Sequence, residues 1–417
     1  MLLLVNSETT AATLGANLGL SEYSYYFVLK EFRPALERLG IVVPISDPAR
    51  DADRIWANAA ARGEPCTLLS FAPPHYTPLG LRCPTIPVFA WEFDTIPDEP
   101  WGGNPQQDWR YGLGQLGRAI THSDFAVQAT RRAMGPAFPI VSIPAPVWDR
   151  FAPLAGARGR EFAASGRIVD TRTTDLAPYS PRLRRTHGYA PLPPATTARV
   201  QLDGVVYASV FNPNDGRKNW FDMVGGFCWA FRDTPDATLL LKLTFHDASA
   251  ALSGLLEELA KHAPFACRVL LVDAFLDDPA YEALVAATDY VVNTSRGEGQ
   301  CLPLMEMMSA GRPAISPRNT AMADYVNPAN AFVVHSHLEP SHWPHDPRQA
   351  YRTLRHRLDF GSLLAAYRES HRVARHEPAR YAAMAEAARQ TLQRHCSEAL
   401  VVERLRDVLD ATAPVAA

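Results

Sequence analysis

The sequence predicts an α/β protein with two domains, each made of a parallel β-sheet covered by helices. Short apolar runs alternate with longer helical segments along two separate stretches of the chain, which is typical of parallel βαβ units. The length of 417 residues is enough for two or three domains. Because ligands of such sheets bind beside the carboxyl ends of the strands, we expect a cleft between the two domains.

The first alternating series occupies residues 1–150. It opens with a predicted strand at Leu2–Val5, followed by a glycine-containing stretch and an amphipathic helix at Ser21–Leu39, which Gly40 ends. Further strands are predicted at residues 41–45, 67–71, 87–91, 119–120 and 140–143.

Residues 151–200 have a different composition, with eight arginines, six prolines, three acidic residues and little apolar periodicity. This composition predicts a linker between the domains or a surface insertion. A role as a basic arm that faces an acceptor or a membrane stays open.

The second series covers residues 201–395 and predicts a second α/β domain, with helices at Trp220–Phe231 and Ala248–His262. The chain then becomes rich in Ala, Arg and Glu, and we expect residues 396–417 to form a helix that packs back on the first domain. The strands of this domain are predicted at residues 205–211, 238–244, 268–272, 290–293, 313–316 and 331–335.

Composition excludes several classes of protein. A net charge of −3 and a pI near 6.5 argue against a nucleic-acid-binding surface along the chain. Six cysteines without a CxxC pair indicate a reducing compartment, and the start MLLLVNSETT is typical of a strand and not of a signal peptide. We therefore expect a cytoplasmic protein, with contact to the inner-membrane surface left open. Only four of the 41 cationic residues are lysines, at positions 30, 218, 242 and 261.

Two sequence patterns suggest a bound dinucleotide and a bound metal, but the residues around each pattern argue against that interpretation. Gly112–Gly117 matches the GxGxxG pattern of dinucleotide-binding loops, but no strand precedes it and Arg131 and Arg132 lie downstream where an acidic residue is needed. A helix or turn with packing glycines fits better. Four histidines at positions 335, 337, 342 and 345 are interrupted by prolines and joined by no cysteine, so we expect a polar surface loop and no metal.

The stretch from residue 287 to 326 carries the most information. A strand at Tyr290–Asn293 passes through a polar loop, Thr294–Gln300, into a helix that begins near Pro303, and proline suits the first turn of a helix. Backbone amides at such a helix start can bind an anion such as phosphate. These amides belong to Gly299, Gln300, Cys301 and Leu302.

Two carboxylates lie on either side of this helix start. Glu298 is in the loop, and Glu306 follows after seven intervening residues. A phosphate does not need carboxylates as partners. Carboxylates instead accept hydrogen bonds from hydroxyls, so one could bind a sugar and the other a ribose. The alternative is that Glu306 complements the helix dipole and Glu298 is a solvated loop residue.

This segment resembles the donor-binding motif of retaining glycosyltransferases of the GT-B fold, in particular glycosyltransferase family 4 and its "glycosyl transferases group 1" domain. In that family the two glutamates are followed by a small-residue turn and a Gly-x-Pro step into the next strand, as in Ser309–Ile315 here. The resemblance implies a GT-B fold with two Rossmann-like domains. It also implies that Glu298 contacts the donor sugar and that Glu306 binds the ribose.

A second block, VVYASVFNPNDGRKNWFDMVGGFCWAFRDTPDATLLLKLT, resembles the start of the family's nucleotide-binding domain. Lys218 occupies the place of the lysine that binds the donor diphosphate and stabilises the charge developing on it. The family's preceding Gly-Arg pair is absent, because the stretch that ends in Asn212 contains no arginine. The resemblance leaves Arg217 or Lys242 as the second cation, with Asn212 among the donor-binding residues.

The resemblance is weaker in the first domain. The segment from Gly15 through Gly19 to Glu22 lies where the family has a glycine-rich loop near the donor phosphates. PVFAWEFDTIPDEPW and ITHSDFAVQAT follow the family's order of strand ends, which predicts that certain side chains face the cleft. His122 is then a catalytic candidate, and Glu92, Asp94 and Trp91 are acceptor-side candidates, although a tryptophan in an α/β domain more often serves packing.

The resemblance implies a retaining glycosyltransferase that moves a sugar from a nucleotide-diphosphate donor to a hydroxyl of a glycan or lipid-linked acceptor. It implies no cofactor and no metal, with Glu298, Lys218 and His122 as catalytic candidates. At the level of the family, we expect a role in bacterial surface polysaccharide or lipopolysaccharide synthesis. Two alternatives stay open: a nucleotide-sugar epimerase or phosphorylase of the same fold, and a non-catalytic binding module.

Overall fold

The computed structural model describes residues 1–9, 13–19 and 23–411. Within these residues the first domain has, in chain order, β1 (Leu2–Ser7), α1 (Leu14–Asn17), α2 (Tyr23–Glu37), β2 (Ile41–Pro44), α3 (Pro48–Ala60), β3 (Cys66–Phe71), β4 (Thr85–Phe89), α4 (Trp109–Leu116), β5 (Ala119–Thr121), α5 (Asp124–Met134) and β6 (Ile140–Ser142). The strands form one parallel sheet in the order β2-β1-β3-β4-β5-β6. The predicted start of the second helix at Ser21 lies outside the described residues.

The second domain is built on the same principle. It contains α6 (Trp148–Phe151), β7 (Glu161–Asp170), α7 (Pro181–His187), β8 (Thr196–Gln201), β9 (Val205–Phe211), α8 (Trp220–Ala230), β10 (Ala237–Leu243), α9 (Ser249–His262), β11 (Arg268–Phe275), α10 (Asp278–Ala287), β12 (Tyr290–Val292), α11 (Leu302–Ser309), β13 (Ala314–Pro317) and β14 (Ala331–Val334). Its sheet has the order β14-β13-β12-β9-β10-β11-β7-β8, and β9 to β14 run parallel to one another. Strand β10 is buried along its whole length, as expected in a parallel sheet covered on both faces.

The arginine-rich segment 151–200 is not a free tether between the domains. Strand β7 pairs antiparallel with β11, and β8 pairs antiparallel with β7, so both extend the sheet of the second domain. The expectation of a linker missed these strands because their outer faces are solvated, which weakens the apolar periodicity.

The histidine-containing segment is an antiparallel hairpin and not the polar loop that we expected. It consists of β15 (Ser336–His342) and β16 (Tyr351–Leu358) and reaches across to the first domain. There Asp94 accepts hydrogen bonds of 2.8 Å from the Thr353 hydroxyl and from the Leu354 amide. The indole N–H of Trp343 donates to Thr95, and its ring stacks on Trp101 with centroids 5.9 Å apart. The hairpin therefore ties the two domains together.

The chain ends, within the described residues, in α12 (Phe360–His376), α13 (Pro378–Cys396) and α14 (Glu398–Asp410). Helix α14 packs on α2 of the first domain, where Arg38 and Glu398 form a 3.0 Å ion pair. Residues 412–417 of the predicted C-terminal helix lie outside the described residues. In the part of the chain that the structure describes, no helix is both long enough and apolar enough to cross a membrane.

The first two glycines of the GxGxxG pattern lie in α4 and the third follows its last residue, as the sequence context indicated. Asp108 caps the start of this helix by accepting a 3.0 Å hydrogen bond from the Arg110 amide. Gly117 ends it in the left-handed conformation, with φ near 73°, which glycine adopts without steric cost. The pattern therefore serves helix geometry.

We expect Asp94→Ala to destabilise the protein, because the substitution removes the acceptor of two hydrogen bonds that hold the hairpin on the first domain. The loss should be about 2–3 kcal/mol in chemical denaturation, the scale for hydrogen bonds to a charged group. Asp98→Ala, on the exposed part of the same loop, is the control. Equal stability of the two variants would contradict the bridging role of the hairpin.

Candidate active site

A cavity of about 580 Å³ lies between the two domains, beside the carboxyl ends of strands from both sheets. The first domain contributes the residues that follow β4, and the second contributes those that follow β9, β10, β11 and β12. This is the place where parallel α/β sheets bind ligands.

Lys218 is placed by a tight turn after β9. Asp215 accepts a 3.0 Å hydrogen bond from the Arg217 amide, and Asn219 adopts φ near 51° at the start of α8. The turn directs the Lys218 ammonium to Glu298, with Nζ 2.6 Å from Oε1. Burial alone lowers the pKa of Lys218, but the charge of Glu298 raises it above the ordinary value. Lys218 is therefore cationic at neutral pH.

Glu298 is buried and ionised. Its Oε1 also accepts a hydrogen bond from the Ser295 hydroxyl at 2.5 Å, and its amide donates to the Thr320 hydroxyl at 2.9 Å. Burial raises the pKa of Glu298, but the charges of Lys218 and Arg217 outweigh burial and lower the pKa below its ordinary value. The alternative of a solvated loop carboxylate is therefore wrong for Glu298, which is 4% exposed.

Arg217 connects carboxylates from both domains. Its guanidinium lies 2.9 Å from Asp215, 2.9 Å from Glu92 of the first domain and 3.6 Å from Glu298. It also donates a 3.0 Å hydrogen bond to the Gly297 carbonyl. Burial raises the pKa of Glu92, and the charge of Arg217 acts against that shift. All of these contacts occupy Arg217 within the protein itself.

The loop before α11 packs tightly on the first domain. A Cβ at Gly299 would lie 2.6 Å from the Cβ of Ala90, so only glycine fits there without displacing the backbone. The Gln300 side chain accepts a 3.0 Å hydrogen bond from the Ala145 amide, and Cys301 takes φ near 62° at the start of the helix. Within the described residues, no acceptor is found for the amides of Gly299, Gln300, Cys301 and Leu302. They remain free for an anion.

Glu306 lies on the next turn of the same helix, facing the cavity. It accepts a hydrogen bond from the Tyr281 hydroxyl, and burial raises its pKa to about 7. Nearby, Arg150 pairs with Glu31 of α2 at 3.0 Å, and Lys30 pairs with Asp278 at 2.9 Å. These ion pairs close this end of the cavity across the domain boundary.

Lys242 and Asn212 differ in whether their side chains are already bound within the protein. The Asn212 side chain donates a 2.7 Å hydrogen bond to the Gly19 carbonyl, and Gly19 itself packs against Thr244. Gly15 lies in α1. Lys242 lines the cavity and is 6% exposed, and burial lowers its pKa to about 8.

Two of the first-domain candidates, His122 and Asp94, do not take the places that we predicted, whereas Trp91 reaches the cavity. His122 is buried outside the cavity lining, its Nδ1 lies 2.9 Å from the Ile143 carbonyl, and burial lowers its pKa to about 4. Asp94 anchors the hairpin instead of facing the cavity. Trp91 reaches the lining, but it is 2% exposed, packs on Trp109 and offers no open face for a sugar.

Three further residues of the site were not predicted from the sequence: Asp215, Ser295 and Tyr281. Asp215 stands in the same Asp-Gly-Arg-Lys run as Lys218, and Ser295 lies three residues before Glu298, so closeness in sequence was a usable signal for both. Tyr281 lies on α10, and nothing in the sequence pairs it with a carboxylate on α11.

Comparisons with protein-family models and with curated proteins found no match. Solved structures do match over the full chain. Sucrose-phosphate synthase from Thermosynechococcus elongatus aligns with 99% of this chain and 98% of its own at 13% identity, with a TM-score of 0.55. HepE from Anabaena, in complex with UDP and glucose, aligns with 99% of this chain and 100% of its own at 13% identity, with a TM-score of 0.52.

A third structure is larger than this chain. TarM from S. aureus, crystallised as a mutant in complex with fondaparinux, alpha-GlcNAc-glycerol and UDP, has a TM-score of 0.50 at 9% identity. The alignment covers 83% of this chain and 55% of TarM. Together with the two parallel-sheet domains, these similarities confirm that the chain has the GT-B fold.

We expect Glu306→Gln to stabilise the protein in a pH-dependent way. In the native state Glu306 keeps its proton up to about pH 7, whereas a glutamate of the unfolded chain ionises near pH 4.3. Wild-type stability should therefore fall as the pH rises between these values, and glutamine, which still accepts from Tyr281, lacks this penalty.

The variant should exceed wild type by up to about 4 kcal/mol above pH 7 and match it near pH 4. Chemical denaturation at several pH values measures this difference. Glu403→Gln, on the exposed face of α14, is the control, and a difference that does not change with pH would contradict the burial of an ionisable Glu306.

Proposed function

We propose that this chain is a retaining glycosyltransferase of the family 4 type, which moves a sugar from a nucleoside-diphosphate donor to a hydroxyl acceptor. The observation that carries the proposal is the ion pair of Lys218 with the buried Glu298, 2.6 Å apart, beside the free amides at the start of α11. Lys218 and these amides supply positive charge for a diphosphate. Glu298 supplies negative charge for a sugar.

In the proposed complex the donor lies along the start of α11. Its diphosphate binds at the amides of residues 299–302 and at Lys218, and its ribose hydroxyls bind at Glu306 on the next turn of the helix. Tyr281 already holds one carboxylate oxygen of Glu306, which leaves the other oxygen for the ribose. The donor sugar then lies toward Glu298 and the first domain.

In the reaction, the bond between the anomeric carbon and the diphosphate oxygen breaks, and its electron pair leaves with the diphosphate. Lys218 and the amides stabilise the charge that grows on the leaving group. The sugar becomes an oxocarbenium-like cation, which the ionised Glu298 stabilises. The acceptor oxygen attacks the same face while its proton passes to a diphosphate oxygen, so the configuration is retained and no protein base is required.

The acceptor approaches from the first domain. Glu92 lines the cavity there and is held by Arg217, so it is placed to accept a hydrogen bond from an acceptor hydroxyl. His122 has no role in this scheme, because its ring does not reach the cavity. A glycan or lipid-linked acceptor of bacterial surface polysaccharide or lipopolysaccharide synthesis agrees with the family resemblance. We propose a cytoplasmic enzyme that needs no metal and contacts the inner membrane peripherally.

Release of nucleoside diphosphate from a panel of UDP-, GDP- and ADP-sugars, with and without oligosaccharide or lipid-linked acceptors, tests the proposal. Acceptor-stimulated release is the expected result. Release or isomerisation that no acceptor stimulates would indicate an epimerase or phosphorylase, and thermal stabilisation by a nucleotide sugar without turnover would indicate a binding module.

Glu298→Gln should lower turnover about a hundredfold or more, because the amide keeps the side-chain volume but removes the negative charge that stabilises the sugar cation. Turnover with the best donor of the panel measures the effect. Glu403→Gln serves as the control, and circular dichroism checks the fold of both variants. Turnover of the Glu298 variant within threefold of wild type would refute the assignment.

A further inference from the structure

The cationic side chains that line the cavity differ in whether they have a carboxylate partner. Lys30, Arg150, Arg217 and Lys218 each have a carboxylate oxygen within 3.0 Å. Lys242 has no ion pair and no hydrogen bond with any residue that the structure describes. Its ammonium therefore lies beside the cavity without a directly bound carboxylate partner.

The place of Lys242 in the sheet makes this arrangement costly. Lys242 is the penultimate residue of β10 and lies between Val210 of β9 and Val272 of β11 in the sheet. Only 6% of the residue is exposed. The carboxylate that acts on it, Asp273 of β11, points to Arg167 at 3.4 Å. A buried ammonium without a partner opposes folding, so a ligand that brings negative charge would bind there favourably.

We propose that Lys242 is the second cation that holds the diphosphate of the nucleotide donor, an inference that rests on the proposed function. The stretch at the end of β9, Ser209–Asn212, contains no arginine. Arg217, the nearest alternative, is held by three carboxylates and a carbonyl, so it would have to break these contacts to reach a phosphate. Lys242 breaks no contact.

The two lysines approach the cavity from neighbouring strands, Lys218 from the turn after β9 and Lys242 from the end of β10. A nucleoside diphosphate carries more charge than one ammonium neutralises, and Lys218 already shares its charge with Glu298. The second charge therefore comes from the adjacent strand instead of from the loop that carries the first. This arrangement sacrifices some stability of the empty protein for affinity toward an anion.

The test compares ligands that share a nucleoside and differ in phosphate. Calorimetry measures the binding of UDP, UMP and uridine, and of GDP, GMP and guanosine, to wild type and to Lys242→Met, which keeps the length and apolar stem of the side chain. The comparison of variants then uses whichever nucleoside series, uridine or guanosine, has a diphosphate that binds wild type. Lys261→Met is the matched control, because Lys261 is 45% exposed on α9 and pairs with Glu258 at 2.9 Å.

We expect Lys242→Met to raise the Kd of the nucleoside diphosphate about ten- to a hundredfold, the scale for a hydrogen bond to a charged group. The Kd of the nucleoside should stay within twofold, and Lys261→Met should leave the whole series unchanged. The melting temperature of the ligand-free Lys242 variant should equal or exceed that of wild type, because a buried unpaired charge has been removed.

The inference is overturned if Lys242→Met binds the nucleoside diphosphate as wild type does, or if it loses nucleoside and diphosphate equally. Lys242→Gln, a second neutral variant, is measured in the same way, so a folding defect of one variant does not decide the result. Absence of nucleoside diphosphate binding by wild type would instead refute the proposed function and, with it, the role of Lys242.

Discussion

Arg217 joins the two domains at the centre of the cleft, and the geometry of the site depends on its contacts. Its guanidinium reaches Glu92 of the first domain and both Asp215 and Glu298 of the second. A planar group with five N–H donors can satisfy carboxylates from three segments at once. Because Glu298 is buried and Glu92 and Asp215 are partly buried, loss of one partner would leave a charge without its full compensation. These contacts therefore hold three segments in place: the turn after β9 that carries Lys218, the loop before α11 and the end of β4.

Tight packing around this ion cluster fixes the backbone as well. The loop before α11 approaches β4 so closely that Gly299 has no room for a side chain, and Gly19 is similarly confined against Thr244. A continuous apolar core contains residues from both domains. The hairpin of β15 and β16 adds a further tie through Asp94. The cleft is thus a charged cavity in which donors and acceptors of hydrogen bonds have defined positions, which is the property that electrostatic catalysis requires.

Local signals explain which parts of the site could be predicted from the sequence. Glu298, Glu306 and Lys218 stand next to strand ends and helix starts, and those boundaries are visible in the sequence. His122 also follows a strand, yet its ring turns toward the Ile143 carbonyl. A strand end determines at which edge of the sheet a residue lies, but the direction of its side chain depends on what packs around it. The position at a strand end or helix start therefore predicted correctly that Glu298 and Glu306 line the cavity, but it was misleading for His122.

The sequence by itself determined the α/β class, the alternation of strands and helices and the helix start that can bind an anion, because periodicity and turn residues act over a few neighbouring positions. The tertiary structure decided how distant segments meet. Only strand pairing showed that residues 151–200 extend the second sheet and that residues 336–358 form a hairpin between the domains. Only the ion pairs distinguished the occupied Arg217 from the unpaired Lys242. Contacts between residues far apart in the chain leave no periodic trace in the sequence.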